Sequence, residues 1–305
     1  MFRWFANWTV KLFLRFLRAR LGHIDVAGAR RWAARADWLL GHPAADVSTS
    51  QVVIGACTGT WIDVPGVDPG RVILYIHGGA FITETPRIHA RLVAQFCRGV
   101  KARGLMVAYR LAPEHRFPAA LDDCVEAYRY LLDSGVAPHR IVIAGDSAGG
   151  NLALVTLQAV RDAGLPLPSG AVGLSPLTDA TFGGDSMRRN DGLDPLFTRA
   201  IVGNLAPLYV PEGKEAEPYL SPLFGNLADL PPTLLLVGSS ELLLDDSVRY
   251  AMRANDVTLD VWHDMPHVFP AFPLLAESRG AIERICAFMN DRFGRDANDR
   301  RPRAT

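Results

Sequence analysis

Lysine is nearly missing from this chain. It stands at Lys11, Lys101 and Lys214, and every other base is arginine. No mechanism follows from that bias. Net charge is missing too: the formal value at pH 7 is zero. No global field therefore recruits nucleic acid or acidic substrates. The four cysteines, Cys57, Cys97, Cys124 and Cys286, are far apart and form no C-x-x-C pair. They read as buried or half-buried thiols in a reducing compartment, the cytoplasm. With no clustered Cys and His, no zinc site is expected. Repeats and low-complexity segments are also lacking.

The first twenty residues, MFRWFANWTVKLFLRFLRAR, carry no unbroken apolar run. Lys11 and Arg15 interrupt it, which argues against both a spanning helix and a signal-peptide core. As a helix, Arg3, Asn7, Lys11, Arg15 and Arg18 make a narrow polar stripe on an apolar cylinder. One reading folds this helix over the main domain as part of a cap. The other, giving a membrane-associated protein, lays residues 1–20 on an anionic membrane surface. Phe2, Trp4, Phe5, Trp8 and Leu12 either line a pocket or seal the helix onto the core.

What is present is ample core material. The chain has 305 residues, 49% of them hydrophobic and 21% charged. That suffices for one large α/β domain or two small ones. Short apolar runs alternate with helical patterns. Strands are expected at 51–56, 59–64, 72–76, 105–109, 141–144, 171–174, 234–237 and 258–262. Helices are expected at 88–101, 119–132, 152–163, 245–254 and 276–293. Such alternation argues a mostly parallel sheet with helices on both faces. Residues 178–232 break the rhythm with many Gly, Pro and Asp residues and one helical fragment, 197–208. A connection that long is unlike a plain loop. It reads as a second cap segment, beside an N-terminal cap part at 1–45. The main α/β domain then comprises 46–177 and 233–296, and 297–305 is a flexible tail.

The strongest chemical signal is Gly145-Asp146-Ser147-Ala148-Gly149. A strand precedes it and a helix follows. That is the context in which G-x-S-x-G places a nucleophile on a tight turn. Ser147 is the expected nucleophile. The backbone N–H of Ala148, at the helix start, favours developing negative charge.

His77-Gly78-Gly79-Ala80 directly follows the strand at 72–76. Glycines there let backbone N–H donors approach a carbonyl oxygen without a Cβ in the way. Gly78 and Gly79 join Ala148 as expected oxyanion donors. His77 reads as structural, bonding its own loop. His267, in a short loop after the last strand, is the expected base. Its rival, His263, sits at the strand end. Three carboxylates follow the strand at 234–237. Glu241 is placed ahead of Asp245, and both Asp245 and Asp246 suit the start of the next helix.

These residues resemble the bacterial hormone-sensitive-lipase-like esterases of the α/β-hydrolase superfamily. The matching segments are LYIHGGAF (74–81), YRLAPEHRFPAAL (109–121), GDSAGGNLAL (145–154), LSPLTD (174–179), LPPTLLLVGSSELLLDDS (230–247) and MPHVF (265–269). They stand in the family's order across 70–270. The resemblance implies an eight-stranded, mostly parallel α/β-hydrolase sheet under a helical cap, and a Ser–acid–His triad. It implies no cofactor, no metal, small-molecule esters of short to medium acids, and members that are often homodimers. Four features depart from the common pattern, one of them the stretch Arg253–Val257 before the last strand, which is shorter than usual. The acid is Glu241 rather than Asp, the third glycine is Ala80, and Glu84-Thr85 replaces Gly-Ser. Two other functions share the scaffold: amide or formamide hydrolysis, and a non-catalytic small-molecule receptor.

Overall fold

The computed structural model describes residues 2–21, 25–42 and 44–294. The expected tail, 297–305, lies outside them. Eight strands form one sheet: β1 (Ser48–Ile54), β2 (Cys57–Asp63), β3 (Asp68–Ile76), β4 (Ala102–Ala108), β5 (Ile141–Asp146), β6 (Gly170–Leu174), β7 (Thr233–Gly238) and β8 (Val257–Trp262). Their spatial order is β1-β2-β4-β3-β5-β6-β7-β8. β1 and β2 pair antiparallel, as do β2 and β4, and every later pairing is parallel. The chain thus adopts the α/β-hydrolase fold expected from its sequence.

β3 explains the apolar runs. Val72 to Ile76 are all fully buried, because helices cover both faces of a parallel sheet. Burying each such side chain contributes about 1.5–3 kcal/mol. The helices are α1 (Phe2–Leu21), α2 (Val26–Leu40), α3 (Pro86–Val100), α4 (Ala119–Asp133), α5 (Ala148–Asp162), α6 (Ser186–Arg189), α7 (Arg199–Tyr209), α8 (Leu244–Arg253) and α9 (Ala276–Phe293). Pro86 opens α3 at its first turn, where a missing N–H costs nothing. In α9, Ala281, Ile285, Met289 and Phe293 recur every four residues as one buried stripe. They share a core with α3 and with Val10 and Leu14 of α1. The opposite face is packed by α4 and α5.

α1 is two-faced. Val10 and Leu14 are buried, while Trp8, Leu12, Phe13 and Phe16 are each almost half exposed. The side chains of Phe2, Trp4 and Phe5 lie outside the described residues. Among the described residues no helix is long and apolar enough to cross a membrane.

Residues 175–232, between β6 and β7, are tied down at several points. The N–H groups of Thr178 and Asp179 donate to Asp246 Oδ2 at 2.7 and 2.9 Å. Asn151 of α5 donates to the carbonyls of Leu177 and Leu220. The stretch divides in its packing. Leu223 and Leu227 join Leu154, Leu235 and Tyr250 in a core cluster. Phe182, Phe197 and Val202 pack with Leu242 and Leu243 beside the acid loop.

Candidate active site

β5 ends at Asp146 and α5 begins at Ala148, so Ser147 alone makes the turn. Its φ of 55° and ψ of −119° are unusual for a residue with a side chain. The turn is crowded as well as strained. A Cβ on Gly145 would lie 2.2 Å from the Gly149 carbonyl oxygen, and one on Gly149 would lie 2.1 Å from that of Ile76. Only glycine fits at either position.

His267 and Glu241 meet Ser147 here. His267 Nε2 lies 2.8 Å from Ser147 Oγ, and Nδ1 lies 2.7 Å from Glu241 Oε2. With the proton on Nδ1, the ring donates to Glu241 and accepts the Ser147 hydroxyl. Glu241 Oε1 accepts the Gly238 N–H at 2.5 Å and the Ser175 hydroxyl at 2.8 Å. Ser175 Oγ also accepts the Val268 N–H at 3.0 Å, so one hydroxyl braces both the acid and the histidine loop. Glu241 is fully buried and His267 nearly so. Burial alone would lower the His267 pKa. The hydrogen bond and charge of Glu241, with the charges of Asp194 and Asp146, raise it above its ordinary value instead.

The rival residues lie elsewhere. His263 is exposed and borders a shallow depression along β8 and α9 that contains none of the expected catalytic residues. Asp245 accepts the Ser186 N–H and pairs with Arg189. Asp246 is buried beneath Thr178, and burial pushes its pKa up to about 7. His77 Nδ1 lies 2.7 Å from the Gly78 carbonyl oxygen, within its own loop. Its ring stacks on Tyr109 at 4.3 Å, and burial lowers its pKa to about 4. Glu84 is exposed.

The expected oxyanion donors need one correction. The Gly78 N–H already donates to Asp146 Oδ1 at 3.0 Å and is not free for an oxyanion. The N–H groups of Gly79, Ala80 and Ala148 meet no protein acceptor among the described residues. Ala80 has a positive φ of 54° and lines the cavity together with Ser147 and Ala148. That cavity is narrow, about 70 Å³, and its other walls include Phe182, Phe197, Val202, Leu205 and Leu243.

Several residues here had no functional signal of their own in the sequence. Asp146 Oδ1 accepts the Tyr75 hydroxyl at 2.8 Å and lies 3.2 Å from His89 Nε2. Asn190 and Asp194 reach the acid loop from outside it. Asp146 and Ser175 lie inside conspicuous motifs, GDSAGG and LSPLTD, but nothing local marks their contacts. Among the described residues no three His, Cys, Asp or Glu side chains gather as a metal site. All four cysteines are buried and unpaired.

A protein-family profile described as alpha/beta hydrolase fold matches residues 73–271. An acetyl-hydrolase from Streptomyces hygroscopicus is 40% identical over 84% of this chain and 85% of its own length. The carboxylesterase/phospholipase LipF of Mycobacterium tuberculosis is 33% identical over 93% of this chain and 77% of its own. Among solved structures, EstE5 superposes with a TM-score of 0.90 at 37% identity, covering 95% of this chain and 99% of that one. An esterase from the bacterial hormone-sensitive lipase family gives a TM-score of 0.89 at 36% identity, covering 95% and 98%.

Proposed function

This chain belongs to the bacterial hormone-sensitive-lipase-like family of α/β hydrolases and is a carboxylic ester hydrolase, and we propose that it works through a serine acyl-enzyme. The observation that carries this reading is the unbroken relay from Glu241 Oε2 to His267 Nδ1 and from Nε2 to Ser147 Oγ, both links under 3 Å.

In the first step Ser147 Oγ attacks the ester carbonyl while His267 takes its proton. Glu241 holds the ring in the tautomer that leaves Nε2 free to accept, and stabilises the cation that forms. Negative charge grows on the carbonyl oxygen. The unpaired N–H groups of Gly79, Ala80 and Ala148 are the donors suited to receive it, at about 3 kcal/mol each. Gly78 acts behind them, fastened to Asp146. His267 then gives its proton to the leaving alcohol. Water attacks the acyl-enzyme by the same route and frees the acid.

The small cavity favours short acyl groups. That agrees with relatives named acetyl-hydrolase and ethyl acetate hydrolase. We place the cap in α1, α2 and the part of the 178–232 stretch that carries α6 and α7, since α7 supplies Val202, Leu205 and Ala206 to the cavity wall. Arg30 of α2 reaches the carbonyls of Ile82 and Ala112, which holds that helix near Phe81.

The test is Ser147→Ala, assayed on p-nitrophenyl butyrate and by fluorophosphonate labelling. Turnover and label should both vanish while the thermal melt stays native. A variant that keeps even about a tenth of the rate would not fit a nucleophile whose loss typically costs several orders of magnitude.

A further inference from the structure

Two residues of the segment between β6 and β7 grip the acid loop from outside. Asn190 Nδ2 donates to the carbonyls of Ser239 and Glu241, at 3.1 and 2.7 Å. Asp194 works with its carboxylate. Oδ2 accepts the Leu242 N–H at 2.9 Å, next to Glu241. Oδ1 accepts the N–H groups of Leu196 and Phe197 at 2.8 and 3.0 Å. That turn sets the Phe197 ring edge-on to the His267 imidazole, 5.1 Å between centroids. The Asp194 carbonyl in turn accepts Arg18 of α1 at 2.7 Å. Asp194 is 1% exposed, and a carboxylate is rarely buried so fully without a specific partner.

We propose that Asp194 is a positioning residue of the active site: it latches the segment over the cavity, and α1 behind it, to the acid loop, and keeps a negative charge beside His267. Its three N–H bonds join what the segment carries to what the triad needs. One oxygen shapes the turn that presents Phe197, and the other fixes the backbone that carries Glu241. The charged groups acting on His267 are Glu241 from the acid loop, Asp146 from β5 and Asp194 from this segment. Asp194 is the one of the three with no direct bond to His267, Ser147 or the oxyanion loop. The proposal rests on the triad reading given above.

Asp194→Asn removes the charge while keeping the shape. Asp194→Glu keeps the charge on a longer arm. Each is measured for kcat, KM and the acid limb of kcat/KM, with a thermal melt from the same preparation. Asp194→Asn should lower kcat about tenfold with KM within about threefold, and shift the acid limb down by roughly half a pH unit. Asp194→Glu should lower kcat but leave the acid limb where the wild type has it. Wild-type kcat and acid limb in Asp194→Asn overturn the proposal, and so does an equal displacement of the limb in both variants. Should Asp194→Asn not fold, the Glu variant decides alone: an undisplaced limb with reduced kcat supports the latch, and a displaced limb overturns it. Ser147→Ala separates the two readings. If that variant is active, the triad is at fault. If it is dead and Asp194→Asn is unaltered, only the latch fails.

Discussion

The Asp146 carboxylate holds the Gly78 N–H at 3.0 Å, so the residue before Ser147 also anchors the glycine loop beside it. The same oxygen accepts Tyr75 and faces His89. All four groups are buried. Burial opposes the charge on Asp146, yet His89, Tyr75 and Gly78 together hold its pKa below the ordinary carboxylate value. Burial likewise opposes the charge on His89, and Asp146 raises its pKa above the ordinary imidazole value.

Asp146→Ala should therefore cost about 3 kcal/mol of stability, the scale for breaking a buried pair, and most of kcat. The loss should depend on pH. Asp146, with a depressed folded pKa, adds stability above about pH 4 that is lost as pH falls through that folded value. His89, with a raised folded pKa, adds stability below about pH 6.5 that is lost as pH rises through its folded value. The difference in Tm between wild type and variant should be largest near pH 5 and smaller near pH 9. A difference that grows from pH 5 to pH 9 would contradict the charged pairing.

The proposed mechanism needs neutral His267, whose pKa is raised. The acid limb of kcat/KM should therefore have its midpoint above about pH 6.5. Glu241→Gln keeps the shape but removes the largest favourable charge. Its limb should move to lower pH, and kcat should drop about 10⁴-fold, on the scale of other orienting carboxylates. A limb that stays in place would remove Glu241 from the relay.

The glycines make a paired test. A Cβ on Gly149 would meet backbone oxygens of Ile76 and His77 at 2.1 and 2.4 Å. Neither can move without shifting the end of β3, so Gly149→Ala should cost about 3 kcal/mol together with activity. Gly203, exposed in α7, has a negative φ and open space within 4 Å of where a methyl group would stand. There Gly203→Ala should stabilise by about 0.5–1 kcal/mol. Urea titrations of both variants read the two signs.

Local pattern made some of this site legible and topology hid the rest. Gly145, Gly149 and the flanking strand and helix announce Ser147, because a strained turn writes its demands into neighbouring residues. Apolar runs such as 72–76 revealed the sheet for the same reason. The expected helix at 152–163 began four residues late, since glycines at 149 and 150 read as loop although α5 starts at Ala148. In the expected oxyanion loop, the sequence does not reveal that the Gly78 N–H is already taken by Asp146. Which N–H stays free depends on where Asp146, 68 residues away, turns its carboxylate. Asp194 was invisible because Asp194-Pro195 looks like any turn. Only the fold shows that its carboxylate points inward, at Leu242.

Acyl length should be set where α7 closes the cavity. Leu205, Val202 and Ala206 of α7 line it together with Ala80, Phe81, Phe197 and Leu243. The space of about 70 Å³ admits a short chain. A longer chain must displace a side chain, and each methylene in such a pocket is typically worth about 1–3 kcal/mol of discrimination. Leu205→Ala removes three carbons from one wall. It should raise kcat/KM for p-nitrophenyl hexanoate relative to acetate about tenfold, while the acid limb, governed by His267, stays put. Leu205→Phe should shift the ratio the other way. If both variants keep the wild-type ratio, the acyl chain does not lie against α7, and the cavity beside Ser147 accepts the alcohol instead.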